Sequence, residues 1–523
     1  MKLGIDFGTC FSFAATCIGE NPTPLVGNDT TICDENNGIP TVYYNDDNNK
    51  DLIGKRALEL TIQFGDNGII NIKDLLRNKR PTENDIRILG GKEYTIKGIV
   101  VNILKFLIQN AINVIEKSNP NIPSHIENLV IAVPAESEGA YRDFILECAI
   151  EATKKFGLSN REIHLIDEPV AAALSYYTIN KKKIKNGSRI LVYDLGGGTF
   201  DVAIVQYDAS KKEKFIVLGQ NGITDRGGNN WDYKLIGHIF NNKTEYNIPL
   251  NQKYEFREAI IKTKIKLSTN ENTVFVFDIK SGINSGEILT ERVSREKFES
   301  LTRILLEHTI HVVNDTKDIY IHNYGKHAKI DAIVLSGGSS QMPMVKKRLE
   351  KEFPDIEILS TELPDRAVAF GAAIYAANSA PVILVSPHTY GVIAYNKKSR
   401  KDEIKNILFK GKPIREQPNG RKYITSGING KNSKFSPYEE NQREVSFQIY
   451  ETDKSSKIVW TDSNNGKRMF EVSFFIEKLN GIRTKDRKYT AEIRIIPGGL
   501  LEAHFYDDDQ NGKEIKCEIH RLY

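Results

Sequence analysis

The stretch Leu191-Val192-Tyr193-Asp194-Leu195-Gly196-Gly197-Gly198-Thr199-Phe200-Asp201 constrains this chain more than any other. An apolar run enters it and another, Val202 to Val205, leaves it, the pattern of two strands joined by a glycine turn. Gly196, Gly197 and Gly198 have no Cβ, so consecutive backbone N–H groups can converge on an anion. Asp194 stands where the first strand meets the turn. A carboxylate there would repel phosphate unless a divalent cation, often through water, lay between them. Thr199 adds a hydroxyl and Asp201 a second carboxylate. Taken alone, such a turn is more often a plain hairpin.

A second copy changes that reading. Leu3-Gly-Ile-Asp6-Phe-Gly8-Thr9-Cys10-Phe11 is again an apolar strand, an Asp and a Gly-Thr turn, with a return strand through Phe13, Ala14 and Ala15. Two such hairpins far apart in one chain suggest two similar lobes facing each other across a nucleotide. The pair resembles the phosphate loops of the actin, hexokinase and heat-shock-chaperone ATPases. The resemblance implies an actin-like α/β fold, RNase H-like and duplicated, in two lobes.

The 523 residues allow several domains. Lys plus Arg number 72 against 68 Asp plus Glu, a formal net charge of +4 that favours neither nucleic acid nor membrane. Cysteines at 10, 17, 33, 148 and 517 show no Cys-x-x-Cys spacing. Reduced thiols in a cytoplasmic protein are therefore expected, rather than disulfides or zinc. Met1 precedes the first strand so closely that no signal peptide is expected, and no apolar run is expected to reach membrane-spanning length. His308 and His311 are three apart on an expected helix, but without a third ligand nearby they read as a solvated face, not a metal pair.

Along the chain, 27–50 is loop-like, with one short strand at Ile39–Tyr44. Val101, Leu104, Leu107, Ile108, Ala111, Val114 and Ile115 give a core-facing helix over 98–117. Asn128–Val133 is a buried strand ended by Pro134; 138–156 is a helix, Leu165-Ile166 a brief strand, and Glu168-Pro169 opens the helix Val170–Tyr177. Lys181-Lys182-Lys183 reads as a solvated loop. Helices are expected over 254–268 and 295–315. Asp331 to Ser339 repeats the strand-then-glycine design, Pro343 begins a helix, and Ala367–Ala377 is rich in small residues suited to close packing. At Pro381 the texture changes. The apolar run Val382–Val385 is followed by alternating strands at 390–395, 445–450, 470–476, 489–496, 500–506 and 515–519, an all-β sandwich. The expected domains are 1–378, a linker 379–387, and 388–523.

The whole resembles the DnaK-type seventy-kilodalton heat-shock chaperones, strongly over 1–378 and more weakly beyond. Asp6-Phe7-Gly8-Thr9 is similar to the family's first phosphate loop, and Asp194 to Asp201 to its second. Ile166-Asp167-Glu168-Pro169 with Ala171-Ala172-Ala173 resembles its connecting segment, whose Glu is expected near the hydrolytic water and metal. Gly337-Gly338-Ser339 and Pro364-Asp365 resemble the adenosine-side loops, and Lys264 and Ser268 match there too. Lys73 falls where the family has a lysine that orients the attacking water, a single charge of the kind phosphoryl transfer needs. Pro134 and Arg142, eight apart, match a pair that relays nucleotide state.

The resemblance therefore implies Asp6, Lys73, Glu168, Asp194, Thr199 and Asp201 as catalytic residues. Nucleotide contacts would come from Gly8, Thr9, Cys10, Gly196, Gly197, Gly198, Lys264, Ser268, Gly337, Gly338, Ser339 and Asp365. It implies ATP or ADP with Mg2+ held through water by Asp6 and Asp194, and K+ as a further cation. The departures are specific. Cys10 replaces a threonine, Ile265 and Gln341 replace two adenine-stacking arginines, and Ile261 replaces a ribose-binding glutamate, so weaker nucleotide binding is expected. His164 and Asp167 stand where the family usually has Arg and Asn, which weighs against a J-domain partner. The linker ends in Ser386 rather than an acidic flank, and no helical lid is expected after the last strand.

The implied function is an ATP-driven chaperone whose β domain holds extended apolar peptides or unfolded segments by strand addition, with a nucleotide-exchange factor as a further partner. A nucleotide-binding interaction protein, actin-like or exchange-factor-like, is the alternative from another class. A small-molecule kinase would need an additional carboxylate base, for which there is no clear candidate.

Overall fold

A computed structural model describes the chain apart from residues 20, 26, 28, 35–37, 47–49, 66, 77–80, 120, 122, 136, 138, 181–183, 212–213, 242–247, 249–251, 326–327, 362, 378–381, 384–385, 387, 410–414, 417–421, 426–433, 453–459, 463, 465, 477–480, 497–499 and 522–523. The lysine run 181–183 and all of the expected linker except Val382, Ile383 and Ser386 thus lie outside the described residues.

Two six-stranded mixed sheets repeat one design. The first runs Ile163–Asp167, Asn128–Val133, Lys2–Asp6, Phe11–Ile18, Asn21–Pro24, with Ile39–Pro40 beside Phe11-Ser12 as its sixth strand. Its first three strands are parallel, and the chain then returns antiparallel through the hairpin after Asp6. The second runs Glu357–Ser360, Ala332–Ser336, Arg189–Leu195, Phe200–Tyr207, Phe215–Ile223 in the same directions. Val382–Ile383, within the expected linker 379–387, adds at its edge, parallel to Phe215-Ile216.

Strands buried on both faces read as continuous apolar runs. Leu129 to Val133 and Ile190 to Leu195 are such runs, fully buried under helices. Ile96–Ser118 and Gly139–Thr153 cover one face of the first sheet. Gly228–Asn241 and Arg295–Tyr324 cover one face of the second. Between the sheets lie Glu168–Ile179 and Ala367–Ala376, which share one core with Val130, Ala132, Val192 and Ala203. These two helices cross where a Cβ on Gly371 would collide with the carbonyl oxygen of Ala171, so only glycine fits there.

Three expectations are corrected. The long helix runs on to Tyr324, past 315, after Ser294 caps its start by accepting from Lys297 N (3.1 Å). Ile39–Tyr44 is not one strand. It breaks at Thr41, whose N–H donates to Cys10 O (2.8 Å), and Val42–Asn45 pairs instead with Asp51–Ile53 and Gly68–Ile70 in a separate sheet. One apolar helix, the 23-residue Ile96–Ser118, does reach membrane-spanning length and apolarity. Its apolar side chains, Ile99, Ile103, Leu104 and Leu107 among them, are packed into the first core.

Beyond the linker, two antiparallel sheets face each other. One runs Trp460–Asp462, Lys401–Leu408, Thr389–Asn396, Glu444–Thr452, Gly466–Phe475. The other runs Arg415–Glu416, Lys422–Thr425, Tyr489–Ile496, Leu500–Asp507, Lys513–Arg521, with Lys434–Phe435 beside Tyr489-Thr490. Val392, Phe447, Ile449, Phe474, Ile493 and Phe505 meet between them, a β-sandwich core. Lys401–Leu408 was not legible as a strand because Lys401, Asp402 and Lys405 mask its alternation.

Candidate active site

The two glycine hairpins end at one place. Asp6 is the last residue of its strand and pairs with Phe13, and Asp194 pairs with Asp201 across the second hairpin. Their tips touch: a Cβ on Gly197 would lie 2.7 Å from Cys10 Sγ. The second turn is held by Gly228 N donating to Gly196 O (2.9 Å) and Asn229 N donating to Gly197 O (2.8 Å). Gly198 packs against Gly227, and Thr9 and Thr199 are both buried. Gly8 sits over the carbonyl of Phe11 with no space for a side chain.

Lys73 and Glu168 meet beside these tips. Lys73 lies on the short 3-10 helix Ile72–Leu76, and Glu168 opens its helix. Lys73 Nζ is 3.2 Å from Glu168 Oε1, with both side chains almost wholly buried, and the ammonium lies 5.7 Å from the centroid of the Phe7 ring. Burial works against the charge of Lys73, but Glu168 foremost, then Tyr141 and Asp6, hold its pKa above the usual lysine value. Burial pushes Asp6 up to about 8, with the charge of Glu168 adding and that of Lys73 opposing. Asp194 is raised well above the carboxylate range by burial, then by Glu168, Asp201 and Asp6.

Three carboxylates thus crowd one lysine, an excess of negative charge that a cation would relieve. Among the described residues no three His, Cys, Asp or Glu side chains converge as direct metal ligands. Asp6 and Asp194, at the ends of the two paired strands, are the carboxylates that could hold a hydrated divalent ion through its water. The anion-binding turns and the ion would then be complementary, since a phosphate chain carries the charge that the ion offsets.

Asp201 is engaged differently from the other carboxylates. Its Oδ1 accepts from Ala135 N (2.7 Å), tying the return strand to the turn after Pro134. Arg142 gathers that turn, donating to Pro134 O (3.2 Å), Ala135 O (3.1 Å) and Ser137 O (3.3 Å), and pairs with Asp167, the residue before Glu168. His388, at the start of the β-sandwich, has Nε2 3.5 Å from Ser137 O.

A second group of the expected residues assembles nearby. Gly338 lies against Asp365, 2.8 Å from its Oδ1 to a would-be Cβ, and Gly337 takes a left-handed φ of 78° against Asp194 and Leu195. Ser339 Oγ abuts Gly228, and Lys264 Nζ donates to Gly228 O (3.1 Å). Lys264 is also ion-paired to the buried Asp232 (2.8 Å), which the sequence reading missed. Ser268, one turn further on, is not brought into this group by any hydrogen bond of the described residues; its carbonyl accepts from Arg295 Nη2 (3.4 Å). Ile265 and Gln341 are exposed and Ile261 is half-buried. His308 accepts from Arg226 Nε (3.4 Å).

Asn71, Asn229 and Arg257 were also missed. Arg257 has a signal in hindsight, since it stands two helical turns before Lys264 and so shares its face. Asn71 has none, because nothing local distinguishes it from a loop asparagine.

The profile of the family described as Hsp70 protein matches residues 2–387. The chain belongs to the Hsp70 family. Among curated proteins it is similar to the chaperone protein DnaK of Thermotoga maritima, 31% identical over 475 residues that cover 86% of this chain and 70% of the relative. It is 33% identical to the chaperone protein DnaK of Mycoplasma mobile over 415 residues, 75% of this chain and 61% of the relative. It is 30% identical to that of Halobacterium salinarum over 384 residues, 71% of this chain and 55% of the relative. This Hsp70 chain thus spans a little over half the length of the Halobacterium relative, and the matched Hsp70 region contains both hairpins, Lys73 and Glu168.

Proposed function

We propose that this chain is an ATP-dependent chaperone of the Hsp70 type, which binds and hydrolyses ATP and couples this to binding of unfolded or extended polypeptide. The observation that carries it is the buried Lys73–Glu168 pair beside Asp6 and Asp194, where two like hairpins meet. Residues 1–378 would form the two-lobed, actin-like ATPase domain, 379–387 the linker and 388–523 the peptide-binding domain. The repeated sheet order supports the two lobes, and the sandwich core supports the separate β domain.

The glycine turns at Gly8–Cys10 and Gly196–Gly198 would cradle the phosphates with backbone N–H groups. Lys73, held in place by Glu168, would stabilise charge on the transferred phosphoryl group and orient the attacking water. Thr199 would offer its hydroxyl to the same water, and Asp201 would report the state of this hairpin to Ala135. Mg2+, held through water by Asp6 and Asp194, would neutralise phosphate charge, with K+ as a companion ion. Lys264, Gly337, Gly338, Ser339 and Asp365 would hold the adenosine, with Ser268 at their margin. A cytoplasmic setting and an exchange factor fit this reading, whereas a J-domain partner fits poorly with His164 and Asp167.

The test is turnover and peptide binding on the full chain. Magnesium-dependent release of phosphate from ATP, abolished by Asp194→Asn, is expected, together with fluorescence-detected binding of short apolar peptides whose affinity changes between ATP and ADP. Absence of hydrolysis would overturn the ATPase assignment, and failure of every peptide in both nucleotide states would overturn the chaperone assignment.

A further inference from the structure

Asn71 takes a φ of 57°, left-handed backbone that non-glycine residues rarely adopt, and is nearly fully buried. It stands directly before the 3-10 helix that carries Lys73, and its carbonyl accepts from Asp74 N (2.9 Å) to shape that turn. With its amide set as the facing donors require, Asn71 Oδ1 accepts from Arg257 Nη2 (2.6 Å), Arg257 Nη1 (2.9 Å) and Asn229 Nδ2 (3.2 Å). Three donors converge on one oxygen, two of them from one guanidinium fork.

The partners come from different halves of the chain. Asn71 follows the strand Gly68–Ile70, and Cys10 belongs to the first hairpin. Asn229 opens the helix that pins the second hairpin, and Arg257 lies on Lys253–Thr269. Cys10 Sγ lies 3.7 Å from Asn229 Oδ1, so the cluster sits on the hairpin tips themselves. The charges of Arg257 and Lys264 are both felt at the Cys10 thiol, although burial, the larger effect, pushes that thiol up to about 11. Positive charge is thus brought to the phosphate side by a residue of the opposite half.

We propose that Arg257 and Asn71 form a polar clasp between the two halves, which positions the turn bearing Lys73 and sets how fast nucleotide leaves. This rests on the ATPase reading above. The physical reason is that Arg257 and Asn229 bond to Asn71 from the opposite half, so contact between the halves is coupled to the backbone that presents Lys73. The left-handed backbone of Asn71 is held by Asp74 N on its carbonyl and, from the other half, by the donors on its amide. Opening the halves breaks the bonds on the amide, and the Lys73 turn loses that constraint. Arg257 and Asn71 act through Lys73 and are positioning residues.

The experiment measures release of a fluorescent ADP and single-turnover hydrolysis of ATP on the full chain. Asn71→Gly keeps the left-handed backbone and removes the amide; Arg257→Gln removes the charged fork. Each should speed ADP release roughly tenfold, the scale of one charge-assisted hydrogen bond, and slow hydrolysis. The double variant should release no faster than either single, because both remove the same contact. Asn71→Asp, which offers a carboxylate to the same fork, should release ADP more slowly than the parent, a gain that a merely structural residue would not give. Arg257→Lys should restore part of the loss.

Multiplying effects in the double variant, or faster release from Asn71→Asp, would overturn the clasp while leaving the ATPase reading intact. If the parent chain binds no ADP, the ATPase reading fails and the clasp fails with it.

Discussion

Lys73 and Glu168, 95 residues apart in sequence, form a 3.2 Å ion pair with almost no exposure to water. A buried pair of this kind is costly unless further charges and dipoles use it. Here Phe7, Asp6 and Tyr141 surround the ammonium, and the pair sits beside the glycine turns. Such an arrangement is a better device for holding a charge ready than for stabilising a fold.

Lys73→Ala should therefore slow single-turnover hydrolysis by on the order of 10²-fold or more, the loss typical of one oxyanion donor, while nucleotide still binds. Rapid-quench measurement with ATP in the presence of Mg2+ checks this, and an unchanged rate would make Lys73 a mere partner of Glu168.

Ile265 and Gln341 are both exposed, so arginines introduced there have space to reach a base. Ile265→Arg with Gln341→Arg should tighten ATP binding, since each cation–π contact contributes roughly 0.5–2 kcal/mol. Calorimetry gives the affinity directly. No gain would mean that other side chains already grip the adenine.

Asp6 carries a folded-state pKa of about 8, above that of an unfolded aspartate. The fold therefore favours its protonated form. That contribution is fully present below the unfolded value and is lost as pH rises from about 4 toward 8. Asp6→Asn removes the titration, so it should raise the melting temperature of the ligand-free protein more at pH 8.5 than at pH 5. Magnesium-dependent nucleotide binding should weaken in the same variant. Scanning fluorimetry across the pH series tests the sign, and an equal shift at both values would remove Asp6 from the charge cluster.

Gly371 and Ala171 mark where two central helices cross without space for a methyl group. Gly371→Ala should cost about 3 kcal/mol, the upper range for overpacking a core. The midpoint of urea unfolding reports it. An unmoved midpoint would show that the helices part easily, contrary to their shared core with both sheets.

Much of this was legible in the sequence because the decisive features are local. A glycine turn after an apolar strand and an Asp announces itself wherever it occurs, and it occurs twice, at Asp6 and at Asp194. Apolar runs at Asn128–Val133 and Leu191–Leu195 declare strands covered on both faces. The small residues of Ala367–Ala376 declare a closely packed helix. Turn, strand and helix preferences act over a few residues, so a few residues suffice to read them.

What the sequence could not supply are relations between distant segments. That Asp232 holds Lys264, that Ala135 takes up Asp201, and that Arg257 reaches Asn71 depend on how two halves of the chain are brought face to face. Nor could it show that Ile39–Tyr44 would be split between two sheets, or that Lys401–Leu408 would find a partner on each side. The sequence alone determined the paired hairpins, the buried strands and the change of texture near Pro381. Tertiary structure alone decided which charges share one buried space, because the energy of a charge depends on its burial and its neighbours, and neither is a local property of the chain.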